Sequence, residues 1–258
     1  MLMTTFFMAA VATLVFAAPG YPGAADDAQP YLDQFAKDTI AATGWSPGSF
    51  TAIYDPTDQG GLAKLGNADS VLAFMPYAFY VQHGDELHLT PLAEADVAGV
   101  GTEERWSLVG AANSNVTPQT AAGYTILSVA GYAPEFVRHS ALAAWPLPAD
   151  VKIETTGQIL SAMRRVVAGE KVLVLLDQTQ AAALPTLPFA AQLKVLVQSP
   201  PLPVAVIAAV GTRLPAPRAK AFQTALLKMK SSSDTDTLGS LRLKRFVLPQ
   251  LPAHTDKP

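Results

Sequence analysis

Lys171–Leu176 reads KVLVLL, and Asp177-Gln178-Thr179 follows it directly. So continuous an apolar run, stopped by a capping residue, predicts a strand buried on both faces. Such a strand needs helices on both sides. Just before it, Gln158–Ala168 predicts a helix with Ile159, Met163 and Val166 or Val167 on one face and Arg164 and Arg165 elsewhere. The same alternation recurs outward. Val151–Glu154, Tyr124–Val129 and Arg105–Gly110 (RWSLVG) are expected strands, with a helical turn over Thr117–Ala122 and a helix over Glu135–Trp145. Earlier come strands at Phe50–Tyr54, Ser70–Met75 and Leu87–Leu92, a small helix running to Gly66, and Pro76 placed to begin a further helix. Asp26–Ala42 is an expected helix. Asp26 and Asp27 suit its start, Leu32, Phe35, Ala36 and Ile40 share a face, and Gly44 ends it. Downstream, Leu193–Val197 and Val204–Val210 are strands and Pro215–Lys230 a helix, followed by a polar turn over Ser231–Thr237 and a tail expected to fray. This order predicts an α/β fold with mainly parallel sheets.

Composition narrows the functional classes. The chain has 258 residues, 50 % of them hydrophobic, so a sizeable core is affordable. Only 15 % are charged, the formal net charge is −3, and basic residues never run beyond pairs. That argues against a nucleic-acid surface. With no cysteine, disulfides, thiolate metal sites and a cysteine nucleophile are excluded together. No charged residue precedes Asp26. Phe6–Phe16 reads either as the apolar centre of a secretory signal with Ala17 and Ala18 as its exit, or as a buried first strand over Val11–Ala17 ended by Pro19-Gly20-Tyr21-Pro22-Gly23. No later apolar run is long enough to span a membrane.

In open α/β sheets ligands bind beyond the carboxyl ends of strands, where helix N-termini point. That rule selects Gly20, Tyr21, Asp55, Thr57, Tyr77, Gly131, Tyr132, Thr155, Thr156 and Asp177 as candidate ligand-binding residues. Asp55, Asp177 and either threonine of the Thr155-Thr156 pair can equally serve as helix caps alone, so the case rests on their shared location. Catalytic signatures are weak. The four histidines form no metal motif, and His83 and His88 flank a turn (HGDELH) where a solvated role is expected. There is no nucleophile elbow and no phosphate-binding loop. Gly99-Val100-Gly101 begins like a dinucleotide fingerprint, but Glu104 occupies the third glycine position. No catalytic residue, metal site or cofactor is assigned.

Three stretches resemble phosphate/phosphonate-type solute-binding proteins: Ser70–Tyr80 (SVLAFMPYAFY), Val166–Gln178 (VVAGEKVLVLLDQ) and Lys194–Val206 (KVLVQSPPLPVAV). Each is loose alone; their order and spacing carry the likeness, over roughly residues 25 to 245. The resemblance implies the type II periplasmic-binding-protein fold, two α/β lobes joined by two crossover strands, with the Val11–Ala17 strand as a needed part. The texture change at Gly99 and the stretch Ser199-Pro200-Pro201-Leu202-Pro203 place lobe 1 at residues 1–98 and 205–258, and lobe 2 at 99–204. The family's hydroxyl-rich anion turn is matched only by Ala130-Gly131-Tyr132. Its histidine at the next helix start is replaced near Thr156-Gly157, while the acidic strand end survives as Asp177.

The resemblance implies a non-catalytic, periplasmic or otherwise extracytoplasmic solute-binding protein. It would capture a small molecule for an ABC-type transporter and meet a membrane permease as a monomer, without nucleic acid. With no basic residue beside the candidate strand ends, a neutral or amphipathic solute is expected rather than phosphate or a phosphonate. Two other classes stand beside this reading: a receptor-like ligand-sensing module, and an enzyme on the same frame using Asp177 or Asp55 as general base.

Overall fold

The structure, a computed structural model, describes residues 11–20 and 23–251. Its first part runs β1 (Ala12–Ala17), α1 (Ala25–Thr43), β2 (Phe50–Asp55), α2 (Asp58–Leu65), β3 (Ser70–Pro76), α3 (Tyr77–His83) and β4 (Leu89–Val97). The middle runs β5 (Glu103–Glu104), β6 (Ser107–Ala111), β7 (Thr125–Ser128), α4 (Pro134–Phe136), β8 (Lys152–Thr155), α5 (Ile159–Val167), β9 (Val172–Leu176), α6 (Gln178–Ala183), β10 (Leu193–Gln198) and β11 (Leu202–Pro203). The chain ends with β12 (Ala205–Val210), α7 (Ala216–Lys228), α8 (Thr237–Ser240) and β13 (Leu243–Val247).

The strands form one six-stranded sheet in the order β13-β4-β12-β3-β1-β2 and one five-stranded sheet in the order β10-β6-β9-β7-β8. The chain leaves the first sheet after β4 and re-enters it at β12. Its two crossings pair with each other as the short antiparallel ladder β5–β11. Further bonds tie them: Arg105 Nη1 donates to Ser199 O at 2.8 Å, Trp106 N to Ser199 Oγ at 2.9 Å, and Val204 N to Thr102 O at 3.0 Å.

All six residues of β1 are buried, and their alternation explains why. Leu14 and Phe16 pack with Leu32 and Phe35 of α1, whereas Val15 and Ala17 join Leu65 and Phe79 on the other face. The strand reading of this stretch is therefore the one seen; residues 1–10 lie outside the described residues. KVLVLL behaves likewise. Val172, Val174 and Leu176 pack on Ile159, Met163 and Val166 of α5, while Leu173 and Leu175 face the core shared by the two sheets.

Several expectations are corrected. The sheets are mixed rather than mainly parallel: β1, β2 and β3 pair in parallel, as do β7, β8 and β9, but β12, β13, β6 and β10 pair only antiparallel. A strand re-entering from the crossing runs opposite to the β-α units it joins. Strand β13, which lies between the expected polar turn and the expected frayed tail and was not itself expected, completes an edge of the first sheet. The helix expected over Glu135–Trp145 is α4 continued as a π turn, Val137–Ala141. The π turn ends at Ala141, and Pro146 and Pro148 bar any helical continuation past Trp145, because a residue before proline avoids the helical region. His83 is not solvated. It is 8 % exposed in α3, with Nε2 2.7 Å from Asp58 Oδ1 and its ring 4.6 Å from that of Phe79. Among the described residues, no helix is long and apolar enough to cross a membrane.

Candidate functional site

Where the two sheets face each other beside the crossing ladder, a cavity of about 20 Å³ remains, room for a single water. Its walls come from both sides. Tyr77 enters from the start of α3, Phe136 from α4, Trp106 and Glu104 from the first crossing, and Tyr132 from the turn after β7. The rings make a corner. Phe136 meets Tyr77 at 6.1 Å and 88°, and Trp106 at 5.3 Å and 74°. Such edge-to-face contacts hold each ring's orientation. Glu135 N donates to Gln82 Oε1 across the same gap at 3.1 Å.

Glu104 is the wall's one charged side chain among the described residues, and it is 7 % exposed. Burial, then the nearby Asp177 carboxylate, push its carboxyl up to about 7, against opposing hydrogen bonds from Gln178 N–H and the Trp106 indole. Burial, then Tyr80 and Glu94, push the Tyr77 phenol up to about 12, so it stays a hydrogen-bond donor. No Lys or Arg lines the cavity among the described residues.

Of the ten residues selected from the sequence, the structure brings Tyr77 and Tyr132 into this cavity. Gly20 borders it. Its φ of +87° suits glycine, and a Cβ there would lie 2.8 Å from Val129 O, so the turn after β1 packs directly on the wall. Tyr21 lies outside the described residues. Asp55 and Thr57 sit elsewhere, at the N-terminus of α2. Thr57 Oγ1 accepts from Gly60 N at 3.0 Å, and Asp55 accepts from Thr57 N at 2.9 Å and pairs with Lys64. Burial alone would raise the Asp55 carboxyl; the Lys64 and Thr57 hydrogen bonds and the Lys64 charge outweigh it and hold the group below its usual range.

Thr155 is exposed at the end of β8, and Thr156 Oγ1 accepts from Gln158 N at 3.0 Å. Neither lines the cavity. Asp177 caps α6, accepting from Gln180 N at 2.7 Å, and burial raises its carboxyl. It reaches the cavity only through its field on Glu104. Gly131 serves packing: a Cβ there would fall 2.2 Å from Glu154 O and 2.5 Å from Thr155 N. Both atoms are backbone, so Gly131→Ala is expected to lower stability by about 1–3 kcal/mol as the turn is forced off β8. A urea melt with an unchanged midpoint would contradict that.

Glu104, Trp106 and Phe136 were not selected. For Glu104 a signal existed. Trp106 and Leu108 share the buried face of their stretch, and the two-residue period carried back from Trp106 puts Glu104 on that face.

The family of ABC transporter phosphonate periplasmic substrate-binding proteins matches residues 72–253. No curated relative matches the chain in sequence. Among solved structures, a Xanthomonas citri protein bound to chloride ion is 13 % identical, with 94 % of this chain and 92 % of that one covered and a TM-score of 0.65. A binding protein component of an ABC phosphonate transporter from Pseudomonas aeruginosa is 14 % identical (93 % and 82 % covered, TM-score 0.60). PhnD1 of Prochlorococcus marinus, in complex with methylphosphonate, is 15 % identical (92 % and 92 %, TM-score 0.58). At these identities the likeness is one of fold, the two-lobed type II periplasmic-binding architecture. The match over residues 72–253 settles the family: the chain belongs to the periplasmic substrate-binding proteins of ABC transporters.

Proposed function

We propose that the chain captures a neutral or amphipathic organic solute between its two lobes and hands it to a membrane permease, acting as a non-catalytic monomer outside the cytoplasmic membrane. In this reading residues 1–98 and 205–258 form one lobe and residues 99–204 the other, hinged at β5 and β11. The first sheet draws its strands from 12–97 and 205–247 and the second from 107–198, which supports that division. The observation that carries the ligand class is the wall itself: aromatic rings and one carboxylate, with no basic side chain among the described lining residues. A doubly charged anion loses its hydration on burial and needs several donors in return. Here Glu104 would repel it. The two aspartates considered as general bases are engaged, Asp55 with Thr57 and Lys64, and Asp177 as the cap of α6 with Gln180. Calorimetric titration with phosphate and methylphosphonate is expected to show no binding at micromolar concentration. Micromolar affinity for either would overturn the ligand class.

A further inference from the structure

A carboxylate in an aromatic wall is expensive unless a cation compensates it. Glu104 is 7 % exposed, and among the described residues no Lys, Arg or His forms an ion pair with it. The nearest basic side chain in sequence, Arg105, is exposed and directs Nη1 to Ser199 O. The other charge that acts on Glu104 is Asp177, which is negative too. The chain therefore places one deeply buried carboxylate, with a second acting on it through its field, in the wall formed by Tyr77, Trp106 and Phe136, and among the described residues it supplies no ion-paired counter-charge there.

We infer that the solute carries an organic ammonium group, set against the Glu104 carboxylate and boxed by the rings of Tyr77, Trp106 and Phe136. This rests on reading the cavity as the solute site. The chemistry is complementary on both counts. The ammonium neutralises the buried carboxylate, and its polarised C–H or N–H groups meet the negative faces of aromatic rings. Rings held at 74° and 88° to Phe136 present differently directed walls, as a compact cation requires.

The cavity of about 20 Å³ is too small for the whole solute. Entry must part Tyr77 from Phe136, which stand on opposite sides of the crossing ladder, by hinge opening. The solute has to displace the packing of Tyr77 on Phe136. Protonation of Glu104 removes the attraction. Facing groups act on this titration: Asp177 opposes ionisation, while Gln178 N–H and the Trp106 indole favour it.

The test is calorimetric titration of the full chain with choline, its uncharged isostere 3,3-dimethylbutan-1-ol, and methylphosphonate, at pH 6 and pH 8. Choline is expected to bind at least about tenfold more tightly than the isostere at pH 8 and to weaken at pH 6. Glu104→Gln, checked for folding by its melt, should remove that preference, bringing the affinities for choline and the isostere together. Equal affinities for choline and the isostere, or a preference that survives in Glu104→Gln, would overturn the inference yet keep the cleft as a solute site. Binding of methylphosphonate in place of choline would do the same and would also overturn the ligand class. Binding of none of the three would overturn the inference and count against the cavity as a solute site.

Discussion

Phe136→Ala should destabilise the protein by about 3–5 kcal/mol, the range for emptying a large aromatic position in a packed core. Phe136 is 1 % exposed and touches Tyr77 from one side of the cleft and Trp106 from the crossing. Its loss removes packing within the second half and the contact that holds the halves together. Two readings should therefore change together: the denaturation midpoint falls, and small-angle scattering of the ligand-free variant shows a larger radius of gyration. A midpoint shift equivalent to less than about 1 kcal/mol would mean that the ring is not packed in the dominant state in solution.

The second large effect is a gain. Glu104→Gln is expected to stabilise the ligand-free protein at pH 8 by about 2 kcal/mol. The sign follows from linkage. The folded state holds the Glu104 proton up to about 7 while the unfolded chain releases it near 4.5, so between those values the folded form binds more protons. Stability is then greatest below the unfolded value and is lost as pH rises through the folded one. The whole loss from this residue is about 3 kcal/mol, and the cost of a buried amide reduces what glutamine recovers. Asp177 and Glu94 are raised in the same direction, whereas Asp55 and Asp236 are lowered and act oppositely. The difference between wild type and Glu104→Gln isolates the one residue. Thermal melts from pH 4 to pH 8 should give a difference that grows between pH 4.5 and 7 and then levels. A constant difference across that range would show that Glu104 ionises normally. A residue that weakens its own protein at working pH is where a binding role is expected.

Much of the frame was legible because its physics is local. The five apolar residues of KVLVLL have no plausible place except a doubly covered strand, and Leu32, Phe35 and Ala36 mark the inner face of α1. The return strands were harder to read. Whether β12 pairs parallel or antiparallel depends on where the chain has been since β4, which no window of sequence contains. β13, with Lys244 and Arg245 between Leu243 and Phe246, shows no strand signal of its own until an edge of the first sheet is there to accept it.

The site was half legible. Strand ends with hydroxyls and carboxylates are easily found, but most of them satisfy backbone groups, as Thr57 and Asp177 do for α2 and α6. Tyr77 and Tyr132, which line the cavity, were selected by position after a strand. Glu104 was passed over because its place in the cavity wall depends on burial, and its burial depends on two distant crossings pairing as β5 and β11. Phe136 looked like one more apolar residue of a helix; only the approach of Tyr77 from the other half gives it a place in the cavity wall.

The central claim is that the solute lies between Tyr77 and Phe136 with Glu104 at its polar end. The most direct measurement is a crystal structure of the protein purified natively, without refolding, so that a tightly held solute is retained. The account predicts density for one small organic molecule in the cleft, with Tyr77 and Phe136 separated by it and a donor atom within hydrogen-bond distance of the Glu104 carboxylate. A solute seated at the N-terminus of α2 instead, with Tyr77 still packed on Phe136, would contradict it.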